Sequence, residues 1–239
     1  MKDTRSNPAT KRIAAVEAAR LIQDGMVVGV GTGSTLAFLI EELGRRVREE
    51  GLHVLGVPTS FQSRLACGRL GIPVRDMQDA AHLDLALDGA DEVDPRLDLI
   101  KGGGGSQTRE KIVAAMASEF VVVVDESKLV PALGTGFAIP VEIVPPGLAY
   151  VEAAVRELGG SPALRMATAG KDGPVVTDNG QFMLDVRFPP AHDLRAADRQ
   201  LHQIPGVIET GLFFDLASQV VVGGGSAEGP TVRTLRRPA

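Results

Sequence analysis

With 239 residues, 44% of them hydrophobic, the chain has material for one generous domain or two modest ones, each with a buried core. Its 25 basic residues are outnumbered by 30 acidic ones, and the net charge of −5 with few aromatics argues against a nucleic-acid partner. No apolar run reaches the length of a membrane span, residues 1–12 lack a signal-peptide core, and the lone Cys67 reads as a small buried hydrophobe, so a cytoplasmic chain with no membrane attachment is expected.

Residues 8–24 place Ile13, Val16, Ala19 and Leu21 at helical spacing and stop at Asp24-Gly25. Residues 26–30 (MVVGV) form a short buried strand, Gly31-Thr32-Gly33-Ser34-Thr35 the loop after it, and 36–43 a helix. A strand, a loop of Gly, Thr and Ser, and a helix turn backbone N–H groups and hydroxyls toward an anion. Ser34 stands where a dinucleotide fingerprint needs its third glycine, and no Gly-Lys-Ser/Thr follows. The loop suits a single phosphate monoester; it equally suits a plain turn with no ligand. A second strand is expected over 53–57, a helix through Arg69, and a third short strand from Gly71-Ile72-Pro73-Val74.

Residues 83–112 are the densest stretch. LDLAL alternates as a strand does and ends at Asp88-Gly89-Ala90-Asp91-Glu92; LDLI ends at Lys101; four glycines follow, and Ser106-Gln107-Thr108-Arg109-Glu110 opens a helix through Ala117. In a parallel sheet the carboxyl ends of strands are where ligands bind, so Asp88, Asp91, Lys101 and Glu110 share one rim. Residues 120–124 are a β-branched buried strand ending in a polar cluster, Asp125-Glu126-Ser127-Lys128. Strand and helix alternate to this point, as in a doubly wound, mostly parallel α/β sheet.

Beyond Leu133 the pattern changes. Strand 139–144, helix 150–158, strands near 164–166 and 181–188, helix 194–203 and strand 206–210 follow the β-α-β-β-α-β order of a smaller ferredoxin-like α+β unit. The expected domains are therefore 1–133 with the C-terminal strands of 211–239, carrying the site, and 134–210, serving packing and oligomer contacts. The basic terminal RTLRRPA reads as a frayed, solvated end.

Taken alone, Glu110 reads as a carboxylate complementing a helix dipole. Beside Lys101, Asp88 and Asp91 it reads differently. A carboxylate that removes a carbon-bound proton needs a cation to hold the oxyanion and further carboxylates to move hydroxyl protons. The alternative, a metal among Asp88, Asp91, Glu92 and Asp94, fits no EF-hand spacing and would compete with the lysine; the four histidines form no zinc pattern. No metal and no cofactor is expected. Neither Ser34 nor Ser106 lies in a nucleophile-elbow motif.

GVGTGST at 29–35, DGADEVD at 88–94 and KGGGGSQTREK at 101–111, supported by PTSFQS, VVVVDESK and VVTDNGQFMLDVRF, resemble the A-type ribose-5-phosphate isomerase family in order and spacing. The likeness runs from about Lys11 to Val222. It implies interconversion of D-ribose 5-phosphate and D-ribulose 5-phosphate through a cis-enediolate. By that resemblance Glu110 is the base, Lys101 the cation at the enediolate oxygen, Asp88 the ring-opening carboxylate and Asp91 its partner for hydroxyl protons. Thr32, Gly33, Ser34 and Thr35 form the sugar-phosphate loop, with Lys128 and Lys11 as further contacts. Gly89, Ala90, Gly102, Gly103 and Gly104 fall within the matching motifs as substrate-binding positions. The resemblance also implies a homodimer or homotetramer. Ser106 stands where alanine is common and is expected to cap the helix of Glu110. A sugar-phosphate sensor, an amino-sugar-phosphate deaminase and a coenzyme A transferase are the rival classes; the intact DGAD and KGGGGS…E motifs favour the isomerase.

Overall fold

The computed structural model describes residues 7–168, 170–226 and 229–237. Its elements run α1 (Pro8–Ala19), β1 (Val27–Val30), α2 (Ser34–Glu49), β2 (Leu55–Pro58), α3 (Phe61–Arg69), β3 (Leu83–Asp88), β4 (Glu92–Val93), β5 (Leu99–Ile100), α4 (Gln107–Met116) and β6 (Ala117–Asp125). They continue as β7 (Ile139–Ile143), α5 (Leu148–Glu157), β8 (Ser161–Leu164), β9 (Phe182–Arg187), α6 (Leu194–Leu201), β10 (Val207–Thr210), β11 (Leu212–Phe213), β12 (Gln219–Ser226) and β13 (Gly229–Arg236).

The main sheet has the order β13-β12-β6-β3-β1-β2. Every pairing in it is parallel except β12 with β13. Valines 121–124 in its middle are buried on both faces, as a strand covered on both sides requires. One face is covered by α1 and α2, the other by α4 with Leu97, Leu99 and Phe213. Because β2 and β3 flank β1 on opposite sides, the winding direction reverses between β1 and β3. The crevice at their carboxyl ends is the point where such sheets take ligands. The loop after β1 and the turn after β3 both open into it.

The second sheet has the order β10-β7-β9-β8 and is antiparallel throughout. With α5 and α6 contributing Val151, Val155 and Leu201 to its core, it is the expected ferredoxin-like arrangement. A small sheet, β11-β5-β4, joins the two: Leu212 pairs with Ile100, one residue before Lys101.

Four local expectations are corrected. Helix α1 ends at Ala19 rather than near Asp24, and it buries Ala14, Ala15, Ala18 and Ala19, not Ile13 and Val16. The reason is steric: a Cβ on Gly223 of β12 would lie 1.9 Å from the Thr10 carbonyl oxygen, so the helix rests almost on strand backbone and admits only methyl groups. Residues 71–74 contribute one bridge, Gly56 to Val74, instead of a strand. The terminal segment is not frayed over its described part: residues 233–236 pair with β12, and Arg237 bonds Asp215 and the carbonyls of Ala217 and Leu97. Pro238 and Ala239 lie outside the described residues. Ser106 occupies the position before α4 without a side-chain cap bond. Among the described residues no helix is long and apolar enough to cross a membrane.

Candidate active site

At the end of β5, the N–H of Lys101 donates to the Gly211 carbonyl at 2.9 Å, fixing where the side chain starts. The residue is 2% exposed; its ammonium lies 3.0 Å from Glu110 Oε2 and 3.1 Å from Asp88 Oδ2, and it also donates to the Gly89 carbonyl at 2.5 Å. Burial opposes a charged lysine, but the two carboxylates more than offset it and hold the Lys101 pKa above the ordinary value. Burial, then the Asp88 charge, pushes Glu110 up to about 8, with Lys101 pulling the other way. The site thus holds a carboxyl whose affinity for a proton is raised far above the ordinary, beside a buried cation.

Asp88 points inward because its second oxygen, Oδ1, accepts the N–H groups of Thr32 at 3.1 Å and Gly89 at 2.7 Å. That closeness demands a glycine at position 31, where a Cβ would sit 2.1 Å from Asp88 Oδ1 and 2.7 Å from its Cα. Glu110 sits in the first turn of α4, its N–H bonded to the Ser106 carbonyl at 2.9 Å. Asp91 Oδ2 accepts the Gly103 N–H at 2.7 Å, and burial raises the Asp91 pKa although this bond and Lys101 lower it. The glycine run turns back on itself, Gly105 N–H to the Gly102 carbonyl at 2.9 Å, with φ of +100° at Gly102.

Across the crevice, Thr32 Oγ1 is within hydrogen-bond distance of Thr59 Oγ1 (2.9 Å) and Ser60 Oγ (2.6 Å), and Lys11 Nζ donates to Ser34 Oγ at 2.8 Å. Helix α2 starts at Ser34, so its first N–H groups face the same space with their partial positive charge. The remaining acids of the 88–94 run turn elsewhere. Glu92 accepts the N–H groups of Gly134, Gly136 and Phe137, and Asp94 those of Arg96 and Asp98.

A cleft of about 580 Å³ brings these parts together. Lys11, Thr32, Gly33, Ser34, Thr35, Gly89, Ala90, Asp91, Lys101, Gly102, Gly103, Gly104, Glu110 and Lys128 line it, while Asp88 lies behind Lys101. Sequence reasoning missed three polar neighbours, Ser60, Gln62 and Asp178, and read a fourth, Ser106, only as a helix cap. Ser60 carries a readable signal, the Ser-x-x-Ser capping box of α3 directly after β2. Asp178 comes from the ferredoxin-like unit and accepts the Phe61 N–H at 2.8 Å, tying that unit to α3 at the cleft mouth. A carboxyl with raised proton affinity, a buried cation beside it and a loop of hydroxyls and helix N–H groups opposite suit proton movement on a small anionic molecule.

Comparison with known proteins gives a consistent picture. Residues 55–227 match the family described as ribose 5-phosphate isomerase A (phosphoriboisomerase A). The chain is 52% identical over 214 residues to ribose-5-phosphate isomerase A of Thermosynechococcus vestitus, covering 89% of this chain and 90% of that one. It is equally identical to the protein of the same name from Methanothermobacter thermautotrophicus, covering 89% and 93%. Among solved structures, ribose 5-phosphate isomerase A of Methanocaldococcus jannaschii superposes with a TM-score of 0.89 at 46% identity, covering 97% of this chain and 100% of that one. A D-ribose-5-phosphate isomerase in complex with phospho-erythronic acid gives 0.89 at 42% identity, over 95% and 98%.

Proposed function

This chain belongs to the ribose 5-phosphate isomerase A family, and from that premise we propose how its residues divide the work of interconverting D-ribose 5-phosphate and D-ribulose 5-phosphate. The substrate phosphate rests on Thr32, Gly33, Ser34 and Thr35 at the start of α2, flanked by Lys11 and Lys128. Asp88 assists opening of the furanose ring. In the open aldose, Glu110 takes the C2 proton; the freed electron pair forms the C1–C2 double bond, and the C1 carbonyl pair moves to O1. Lys101 meets the developing negative charge. A proton passes from O2 to O1 with the help of Asp91, and Glu110 returns its proton to C1 as the C2 carbonyl forms. Proton count and charge are restored, and no external oxidant is involved.

One observation carries this reading: Lys101 Nζ lies between Glu110 Oε2 and Asp88 Oδ2 at 3.0 and 3.1 Å, so base and oxyanion partner are already adjacent. The ligand of the solved relative supports it chemically, since phospho-erythronic acid ends in a planar carboxylate with the shape and charge of an enediolate. In the same reading residues 1–133 with 211–239 form the catalytic domain, 134–210 form the second, and the protein works in the cytoplasm as a homodimer or homotetramer. The exposed apolar side chains Tyr150, Met166 and Val176 of residues 134–210 support a subunit contact there.

Glu110→Gln tests the assignment. The amide keeps the size of the carboxylate but cannot accept the proton, and a positioned base contributes roughly 10²–10⁴-fold. Formation of ribulose 5-phosphate should fall at least about 10²-fold in kcat while sugar-phosphate binding changes little, and solvent deuterium should no longer enter the carbon skeleton. Near-normal kcat in the variant would move the base to Asp88 or Asp91.

A further inference from the structure

The glycine run beside Lys101 has no side chains with which to hold its own shape, yet two of its backbone groups are held by a residue of the other sheet. Arg165, directly after β8, donates through Nη1 to the carbonyls of Gly102 at 3.0 Å and Gly103 at 3.2 Å. Its other edge is engaged by Asp185 of β9, Nε at 2.9 Å and Nη2 at 2.5 Å, the two-point geometry that fixes a guanidinium plane. The backbone of Arg165 is itself anchored, its N–H to the Met183 carbonyl and its carbonyl to the Val175 N–H, each at 2.8 Å.

In a trans peptide the C=O and N–H point in opposite directions. The group joining Gly102 to Gly103 therefore has its oxygen on Arg165 and its hydrogen on Asp91 Oδ2 at 2.7 Å. One flat unit is gripped at both ends, and one end is Asp91. The next group, joining Gly103 to Gly104, also has its oxygen on Arg165, which turns the Gly104 N–H away from Arg165 at a position lining the cleft. We infer that Arg165, held by Asp185, is a positioning residue for the isomerisation: it sets the orientation of the Gly102–Gly104 backbone, and through it places the Asp91 carboxylate and a Gly104 N–H donor against the substrate's C1–C3 oxygens. The inference rests on the reading of Lys101, Asp91 and Glu110 given above. It gives residues 134–210 a part in catalysis beyond packing.

Arg165→Ala, Arg165→Lys and Asp185→Asn, each in the full-length protein, test it. A misplacement of about 1 Å far from the chemistry costs up to ~10²-fold in rate, so Arg165→Ala should lose between about 10- and 100-fold in kcat. Its KM for ribose 5-phosphate should stay within about threefold, because the Thr32–Thr35 loop belongs to another element. Guanidinium ion at millimolar concentration should restore part of that kcat, whereas it should do nothing for Glu110→Gln. Lysine, lacking the planar fork, should rescue poorly. Asp185→Asn, which leaves the arginine in place but loosens it, should lose less kcat in the same direction; this variant carries the test if Arg165→Ala does not fold. The inference is overturned if kcat in Arg165→Ala or Asp185→Asn stays within twofold of wild type, or if the loss follows the unfolded fraction and ignores guanidinium. Retained turnover in Glu110→Gln would instead overturn the reading beneath it, so the two failures are separable.

Discussion

Glu110 is both the assigned base and the group whose ionisation burial disturbs most usefully. As a base it must be unprotonated, and its pKa stands at about 8 instead of the ordinary 4.3 or so. The acid limb of kcat/KM, which reports the free enzyme, should therefore fall as pH drops through the raised value, well above the usual carboxylate range. Lys101 lowers the Glu110 pKa, so Lys101→Gln should move that limb to higher pH as well as lower kcat. The substrate's phosphate, which titrates near 6, stays where it is. A pH–rate series on both proteins checks this, and a limb that does not move would detach Lys101 from Glu110. The identity of these residues was legible in the chain, because Asp88 and Lys101 each follow an abrupt end to an apolar run and Glu110 opens the helix after the glycine run. What could not be read was that Gly31, just past β1, and Asp88, at the end of β3, lie too close to admit a Cβ. That needs the register of β1 against β3, and register is a property of the pair.

Helix α4 shows how much of a site's precision comes from an element's surroundings. Four residues around Glu110 reach into the second sheet and its loops: Gln107 to Met183, Thr108 to Glu142, Arg109 to Asn179 and the Asp178 carbonyl, and Lys111 to Glu209. Glu142 of β7, 1% exposed, accepts from Thr108, from Thr177 at 2.5 Å and from Asn179 at 3.1 and 3.2 Å. Replacing it by Gln turns an acceptor into a donor facing a donor. Leaving a buried polar group unmatched costs about 1–3 kcal/mol, so Glu142→Gln should lower the thermal midpoint by several degrees and weaken kcat by loosening α4. Calorimetry and turnover on one preparation would check it; an unchanged midpoint would mean that the carboxylate is redundant. None of this was visible in the sequence, which showed the ferredoxin-like order but assigned that region only packing and oligomer contacts. The bond from Arg109 to Asn179 spans 70 positions, and period-based reading sees one element at a time. The short strand expected at 71–74 failed for a related reason: β-propensity needs a partner strand, and only Gly56 offered one contact.

At the scale of the molecule, the second sheet belongs to an inserted unit that bonds to α4 and leaves Tyr150, Met166 and Val176 exposed. Light scattering should give particles of two or four chains, and Tyr150→Glu combined with Met166→Glu should shift them toward single chains; wild-type particles of one chain with full turnover would remove the proposed subunit contact. The doubly wound order and the inserted unit were readable from alternating patterns, as were the apolar runs of β5 and β11; that these pair with β4 in a separate antiparallel sheet, instead of ending on the parallel rim, was not, since its strands are two residues each. That small sheet governs how the protein comes into being. A ribosome delivers the chain from its amino end, and β1 to β6, with every side chain assigned to the chemistry, emerge well before Gly211. Until then Lys101 lacks the carbonyl that pins its N–H, and β6 has an open edge where β12 will dock. The nascent polypeptide therefore carries the side chains proposed for catalysis before it has a site, and a stretch translated much later is the one that assembles it.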